Sequence, residues 1–444
     1  EEDDGCDDIG EQRDQEGVEE DEEEEDEDDD DESHPRCDFK TIEMITDEKL
    51  QDLVSFHCVR DGSVCDVRVE RRTKGAYNFA AMLTLTVDNS QKGYVVRIPG
   101  HATHAHWKVE DEYMMDREVQ LIEHIRAPTR APVPEVIHHS TKHDNAIGFP
   151  YILITQLPGK DAEDTELMFQ HADNPSTATE AKRITLLRSL ARIMTEIQSL
   201  SFDKIGMPIF AETEAPTIGP MYQWSCDGSD FPRKRGPFPS SQNYAIAGLM
   251  QQIVCWNHSV DEVKKGALDF FHQVFSQAPF EPSVPETFTI YHRDLDLQNI
   301  LVDEDGNVTG IIDWDTAFVA PRFVGAAAAP LFLQKDWLPD YLNNLDNGPY
   351  MGWKTHHYRE IYAAALVEAG NPDAIYTTKS AIYRSAFTAI CDIDGGNKMD
   401  LMDKLLREIP HCRLRSPEFA RGLGLGWRDA EAMLKVELAK VLKP

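Results

Sequence analysis

The chemistry-bearing residues of this chain stand between Tyr291 and Asp315, in the stretch YHRDLDLQNILVDEDGNVTGIIDWD. Asp294 is followed five positions later by Asn299, and Asp313 comes fourteen positions after that. Two short apolar runs follow Asn299, Ile300–Val302 and Thr309–Asp313, with Asp305-Gly306-Asn307 between them as a turn. A hairpin of those runs holds Asp294 and Asn299 on the loop that enters it and Asp313 at its exit. Phosphoryl transfer from a nucleotide needs such a set: a carboxylate to orient the accepting hydroxyl, and hard oxygen ligands for magnesium. Asp and Asn are also ordinary turn formers, so a surface hairpin with acidic loops is the plain alternative.

The elements that must position these residues are legible on either side. In Phe79–Val87, Leu83, Leu85 and Val87 alternate with Thr84 and Thr86, the pattern of a half-buried strand. Asp88–Gly93 reads as a turn and Gly93–Pro99 as the returning strand, with Val95 and Arg97 on one face and Val96 and Ile98 on the other. Val109–Arg126 has helical period, and Met114, Glu118, Leu121, Ile122 and Ile125 share its apolar stripe. A carboxylate on such a stripe needs a cationic partner, and Arg97 on the preceding strand is the candidate. Pro128, Pro132 and Pro134 end the helix, and Tyr151–Thr155 is a further strand running into Gln156-Leu157-Pro158-Gly159.

Beyond that connector the pattern turns helical. Arg183–Leu200 carries one apolar face, Gly206–Ser241 reads as loop, and Leu249–Phe275 is helical with a break expected at His258–Asp261. Further helices are expected near Thr355–Ala369, Pro372–Asp392, Met399–Glu408 and Asp429–Leu442, and a weak one over Phe39–His57. Strands first, helices afterwards and one embedded hairpin give an α+β fold of two lobes. The divisions are a tail over residues 1–38, a small β-rich lobe over 39–158 and a helical lobe over 159–444.

His292-Arg293-Asp294-Leu295 with Asn299, followed by Ile312-Asp313-Trp314, resembles the catalytic and metal loops of the protein-kinase-like superfamily. The Ile-Ile-Asp-Trp-Asp ending resembles its aminoglycoside phosphotransferase and choline-kinase branch, and Val95-Val96-Arg97-Ile98-Pro99 resembles fungal-type members. The resemblance implies a two-lobed kinase-like fold and transfer of the γ-phosphate of ATP, with Mg²⁺, to a hydroxyl of a small molecule. It implies that Asp294 is the catalytic base and that Asn299 and Asp313 hold the metal. It places Gly75 in a phosphate-covering loop, Gln156 and Leu157 in the adenine-reading hinge, and Arg97, held by Glu118, against the phosphates. A purely structural Arg97–Glu118 ion pair is the other reading of those two residues. Three departures favour a catalytically weak or inactive pseudokinase: arginine at 97 in place of lysine, a poor glycine loop, and Asp296 where the family carries His or Lys. No activation segment follows Asp313, which ranks a protein kinase last.

Composition bounds the rest. Residues 1–33 hold 23 of the 79 acids and a single base, Arg13, and cannot bury enough apolar surface to fold. Such a tail is a solvated spacer or, alternatively, engages a basic protein partner. With a formal charge of −35, nucleic acid is not expected as a partner. The eight cysteines are scattered without a C-x-x-C pair, which suits a reducing, cytoplasmic setting, and no apolar run approaches a membrane span. The chain begins at Glu1 without a Met, leaving organelle targeting open. His101, His104 and His106 have no Cys or carboxylate pattern around them and read as connector residues rather than zinc ligands. Trp224, Trp256, Trp337 and Trp353 read as core.

Overall fold

The computed structural model describes residues 34–59, 65–165, 175–211, 215–223, 232–255, 261–280, 285–338, 352–391 and 396–444. The expectations for Glu1–Ser33, Trp224, Trp256 and residues 256–260 of the helix break lie outside these. The helix expected over Phe39–His57 is two, α1 (Phe39–Glu43) and α2 (Asp47–Cys58). Thr46 divides them by capping α2, its hydroxyl accepting from the Lys49 N–H at 3.4 Å.

Five antiparallel strands follow: β1 (Cys65–Lys74), β2 (Asn78–Val87), β3 (Ser90–Pro99), then, after helix α3 (Val109–Arg126), β4 (Val136–Ser140) and β5 (Tyr151–Thr155). Their order in the sheet is β1-β2-β3-β5-β4. The β2–β3 turn is tighter than expected: Asp88 and Asn89 alone form it, both with positive φ (48° and 65°), and Ser90 already pairs with Val87. Two left-handed residues match the twist of the flanking strands, which extends β3 to Ser90. Phe79, Ala81, Leu83, Leu85, Tyr94, Val96 and Ile98 fill one face of the sheet, against Leu50, Leu53 and Val54 of α2. The other face meets α3 through Met115, Val119 and Ile152.

The remaining elements are β6 (Lys160–Asp161), α4 (Thr177–Gln198), four short strands β7 (Met207–Ile209), β8 (Thr217–Gly219), β9 (Met221–Gln223) and β10 (Arg233–Arg235), then α5 (Ser241–Cys255) and α6 (Glu262–Phe275). The short strands pair as two ribbons, β7 with β8 and β9 with β10, inside the stretch expected to be loop. Asp261, the last residue of the expected break, caps α6, accepting from the Lys264 N–H at 2.8 Å. Next come β11 (Phe288–Tyr291), β12 (Ile300–Val302), β13 (Val308–Ile311) and β14 (Phe318–Pro321), and finally α7 (Gly352–Glu368), α8 (Ser380–Cys391), α9 (Gly396–Glu408), α10 (Ser416–Gly424) and α11 (Arg428–Val441). Leu186, Leu190, Met194 and Ile197 of α4 bury with Phe270 and Phe271 of α6 and with Phe280, Phe323, Tyr383 and Phe387 in the larger core. Each such burial contributes roughly 1.5–3 kcal/mol. Trp337 packs against this core, whereas Trp353, expected inside, is 68% exposed. Among the described residues no helix is long and apolar enough to cross a membrane.

The end of the segment expected to be tail is instead built into the sheet region. Arg36 is buried, donating to Asp111 Oδ2 at 2.6 Å and to the His106 carbonyl at 2.5 Å. Asp38 N–H donates to the Gly100 carbonyl at 2.8 Å. A cation and two apolar residues, Pro35 and Phe39, follow directly on the acidic run, which is why packing begins at His34 and not at Phe39.

Candidate active site

The hairpin forms where expected. β12 and β13 pair from Ile300↔Ile311, with Gly306 at φ 86° in the turn. β11 and β14 bracket it as a second antiparallel pair. The loop between β11 and β12 is held by backbone contacts: Asn299 Nδ2 donates to the Asp294 carbonyl at 2.8 Å and to its Oδ2 at 3.0 Å. Asp294 and Asn299 are therefore one unit, with Gln298 Nε2 giving Asp294 Oδ2 a further bond at 3.1 Å.

The exit loop is gripped from the same side. Ile312 N–H donates to the Asn299 carbonyl at 3.0 Å, and His292 Nε2 lies 2.9 Å from the Ile312 carbonyl. His292 stacks edge-on against Trp314, which is fully buried and donates its Nε1–H to the Ile311 carbonyl at 3.0 Å. Burial drives the His292 pKa down to about 4, so the ring is neutral. Between these two anchors Asp313 takes φ 58°, a left-handed conformation costly for a side-chain-bearing residue. The strain is sustained by the grip on both neighbours and leaves the Asp313 carboxylate 40% exposed.

Arg97 joins the sheet region to this loop. It pairs with Glu118 of α3 through one guanidinium nitrogen and donates to Asp313 Oδ1 at 3.1 Å through the other. Burial opposes the arginine's charge, but Glu118, Asp313 and Asp315 outweigh it and keep the guanidinium charged. Burial pushes Glu118 up to about 7 against the pull of Arg97, the carboxyl being only 5% exposed. Asp313 is likewise raised by burial, with Asp315 and Asp294 adding to the rise and Arg97 opposing it. Arg97 is outnumbered by Glu118, Asp313, Asp315 and Asp294, whose hard oxygen donors are of the type that Mg²⁺ takes.

The connector Gln156–Gly159 runs from the sheet to the same hairpin. Gln156 N–H donates to the Gly93 carbonyl at 2.9 Å, and Thr309 Oγ1 donates to the Pro158 carbonyl at 2.6 Å. Gly159 (φ 109°) allows this approach: a Cβ there would stand 2.3 Å from Thr309 Oγ1 and 2.8 Å from the Val302 carbonyl oxygen. Gly75 lies in the exposed β1–β2 turn, its N–H bonded to the Asn78 carbonyl at 2.9 Å. An added Cβ would meet nothing nearer than that carbonyl at 3.9 Å, so the turn itself does not demand glycine. His101 stacks on Trp107, and His104 on His143; among the described residues no three metal-type ligands converge.

Two residues absent from the sequence reading also hold the loop. Lys335 Nζ lies 2.6 Å from Asp296 Oδ2, and Arg384 donates to the Arg293 carbonyl while its guanidinium covers the Tyr291 ring at 5.4 Å. Arg293 is itself exposed, and its carbonyl is braced by Arg384. Nothing local in the sequence links positions 39 or 91 residues apart.

The model of the phosphotransferase enzyme family (APH) matches residues 80–350. Curated relatives are two subtelomeric hrmA-associated cluster proteins from two strains of Aspergillus fumigatus, each 23% identical over 283 residues, 50% of this chain and 54% of theirs. The chain thus spans about half the length of the curated relatives it matches. Similar solved structures include a streptomycin–ATP ternary complex of the aminoglycoside phosphotransferase APH(2")-IIa, at 12% identity and TM-score 0.45, covering 84% of this chain and 98% of that one. A Plasmodium vivax ethanolamine kinase is 12% identical at TM-score 0.39, covering 86% of this chain and 88% of its own.

Proposed function

Because the chain belongs to the phosphotransferase enzyme family, we propose that it transfers the γ-phosphoryl group of ATP to a hydroxyl of a small molecule. The observation that carries this reading is the Arg97 bridge, one guanidinium on Glu118 of α3 and on Asp313 of the hairpin exit. It ties the sheet to the exit loop, which Ile312 N–H bonds to the Asn299 carbonyl of the entering loop at 3.0 Å, and it sets a phosphate-seeking cation beside metal-type oxygens. Asp294 accepts the acceptor's proton as the new O–P bond forms and the bond from Pγ to the bridging oxygen breaks, the electron pair leaving with ADP. Asn299 and Asp313 would hold Mg²⁺, which when bound neutralises phosphate charge. Gln156 and Leu157 would present their backbone to the adenine, and the β1–β2 turn at Gly75 would lie over the phosphates.

A nucleotide-dependent rise in melting temperature, measured with ATP in the presence and absence of Mg²⁺, tests this directly. No shift in either condition would end the reading. One observation favours a binding module without turnover: Arg97 engages Asp313, a residue the metal would need. ATP binding that does not depend on Mg²⁺, with no release of ADP in any acceptor screen, would favour that second reading.

A further inference from the structure

Lys335 is a nearly enclosed cation beside the catalytic loop that the mechanism above does not use. It lies in a 3-10 turn (Lys335–Trp337), and its side chain is 16% exposed. Among the described residues its ammonium has one hydrogen-bond partner, Asp296 at 2.6 Å, whose own side chain is 10% exposed. An ammonium carries three N–H donors, and the side chain's residual exposure leaves the others open to solvent or to a ligand.

The geometry around it is fixed from both sides. Leu331 N–H donates to the Leu295 carbonyl at 2.8 Å, which docks the segment before Lys335 onto the residue between Asp294 and Asp296. Asp336, the next residue, is clamped by Arg359 at 2.7 and 3.0 Å. Asp296 is committed as well, its Oδ1 capping Leu297 N–H at 2.9 Å. Glu163 lies within the field of both Asp296 and Lys335. Lys335 is thus held against the loop two residues from Asp294, with donors to spare, beside the acids Asp296 and Glu163.

We propose that Lys335 is a catalytic residue that contacts the γ-phosphoryl group of bound ATP, with Asp296 holding it in place. The inference rests on the phosphotransferase reading and deepens it. As the phosphoryl group leaves ADP for the acceptor oxygen, negative charge spreads over its three peripheral oxygens. A fixed ammonium at that point stabilises the charge without reorganisation. Asp296, which by its own sign repels phosphate, serves the site by orienting this lysine.

Calorimetry with Mg²⁺–AMP-PNP and Mg²⁺–ADP on the full chain tests the contact without needing an acceptor, because the two ligands differ in the γ-phosphoryl group. The wild type is expected to prefer AMP-PNP. The Asp296→Asn, Lys335→Met double variant, which removes both charges together and leaves neither stranded, should lose about tenfold of that preference while ADP affinity and melting temperature hold. Asp296→Asn alone retains the ammonium but loosens its hold and should lose part of the preference; an unchanged preference in that variant would remove Asp296 from the orienting role. Should the double variant not fold, Lys335→Arg should preserve the preference and Lys335→Gln should lose it. Equal AMP-PNP preference in the wild type and the charge-free variants, or no preference in the wild type, overturns the role given to Lys335 and leaves the phosphotransferase reading standing. Failure of the wild type to bind either nucleotide overturns both.

Discussion

Replacing Arg97 with alanine separates two tasks that the guanidinium performs at once. Its structural task is to compensate Glu118, whose side chain is 5% exposed. Without the arginine that carboxyl must hold a proton at neutral pH. Burial already raises its pKa from 4.5 to about 7 with Arg97 present, so losing the arginine raises it further and destabilises the fold at neutral pH. The sign follows from the acid: the unfolded chain ionises above 4.5 while the folded variant keeps the proton. The deficit therefore grows with pH through the neutral range and shrinks as pH falls toward 4.5. The functional task concerns the second nitrogen, 3.1 Å from Asp313. ATP must exchange that contact for a phosphate, so the net gain lies at the low end of a charged hydrogen bond, about 1.5 kcal/mol or roughly tenfold in affinity. Titration of Arg97→Ala with ATP and with adenosine, at pH 7 and below its melting temperature, is the assay. ATP should weaken about tenfold and adenosine hardly at all, and Glu118→Gln should weaken ATP by less. Equal weakening of ATP and adenosine would refute the phosphate contact and leave Arg97 a structural ion pair.

Asp294→Asn should lose about 10²–10⁴-fold in turnover with nucleotide affinity preserved, whereas Asp313→Ala should abolish the Mg²⁺-dependent part of nucleotide binding; matching losses in both would end that division of roles. His292, neutral with a pKa near 4, makes acid destabilising: between pH 6.5 and 4 the unfolded chain binds a proton that the folded one refuses, a loss approaching 3 kcal/mol at the lower end. His292→Asn should flatten that slope in melts across the range, and an unchanged slope would remove His292 as its cause. A chain beginning at Pro35 keeps Arg36 and should melt within a few degrees of the full chain, whereas one beginning at Asp38 takes the guanidinium from buried Asp111, leaving it His101 and the Lys108 N–H, and should melt below it. Equal melting of the two would show that the Arg36–Asp111 pair carries no stability.

What the sequence disclosed were features whose partners lie close along the chain or repeat with a period. The hairpin, the Asp294–Asn299 unit, the Arg97 strand and α3 with Glu118 all follow from alternation, a 3.6-residue stripe or a turn signal. The strands β1 and β4 escaped because they are the sheet's two edges: β1 is CDVRVERRTK with one buried residue, and β4 is partly exposed throughout. Lys335, Arg384 and Arg36 escaped for a different reason. Each is a charged residue in an unremarkable setting whose partner stands 39 or more positions away, and no local pattern encodes such a pairing. Asp296 illustrates the result. Its position in the motif suggested a loop short of positive charge, and the compensating charge arrives from a distant turn.

The grip on the catalytic loop also bears on when that loop comes into being during synthesis. Asp294 to Asp313 emerge from the ribosome together, yet Leu295 waits for Leu331, Asp296 for Lys335, and the Arg293 carbonyl for Arg384 on α8. At translation rates of ≈ 5–20 residues per second, the last of these arrives several seconds after the motif. Until then the strained Asp313 lacks part of the scaffold on which its loop rests, and the nascent chain holds the motif without the site. A fragment cut at residue 350, where the family match ends, would be halted permanently in that state, since it lacks α8 and with it Arg384.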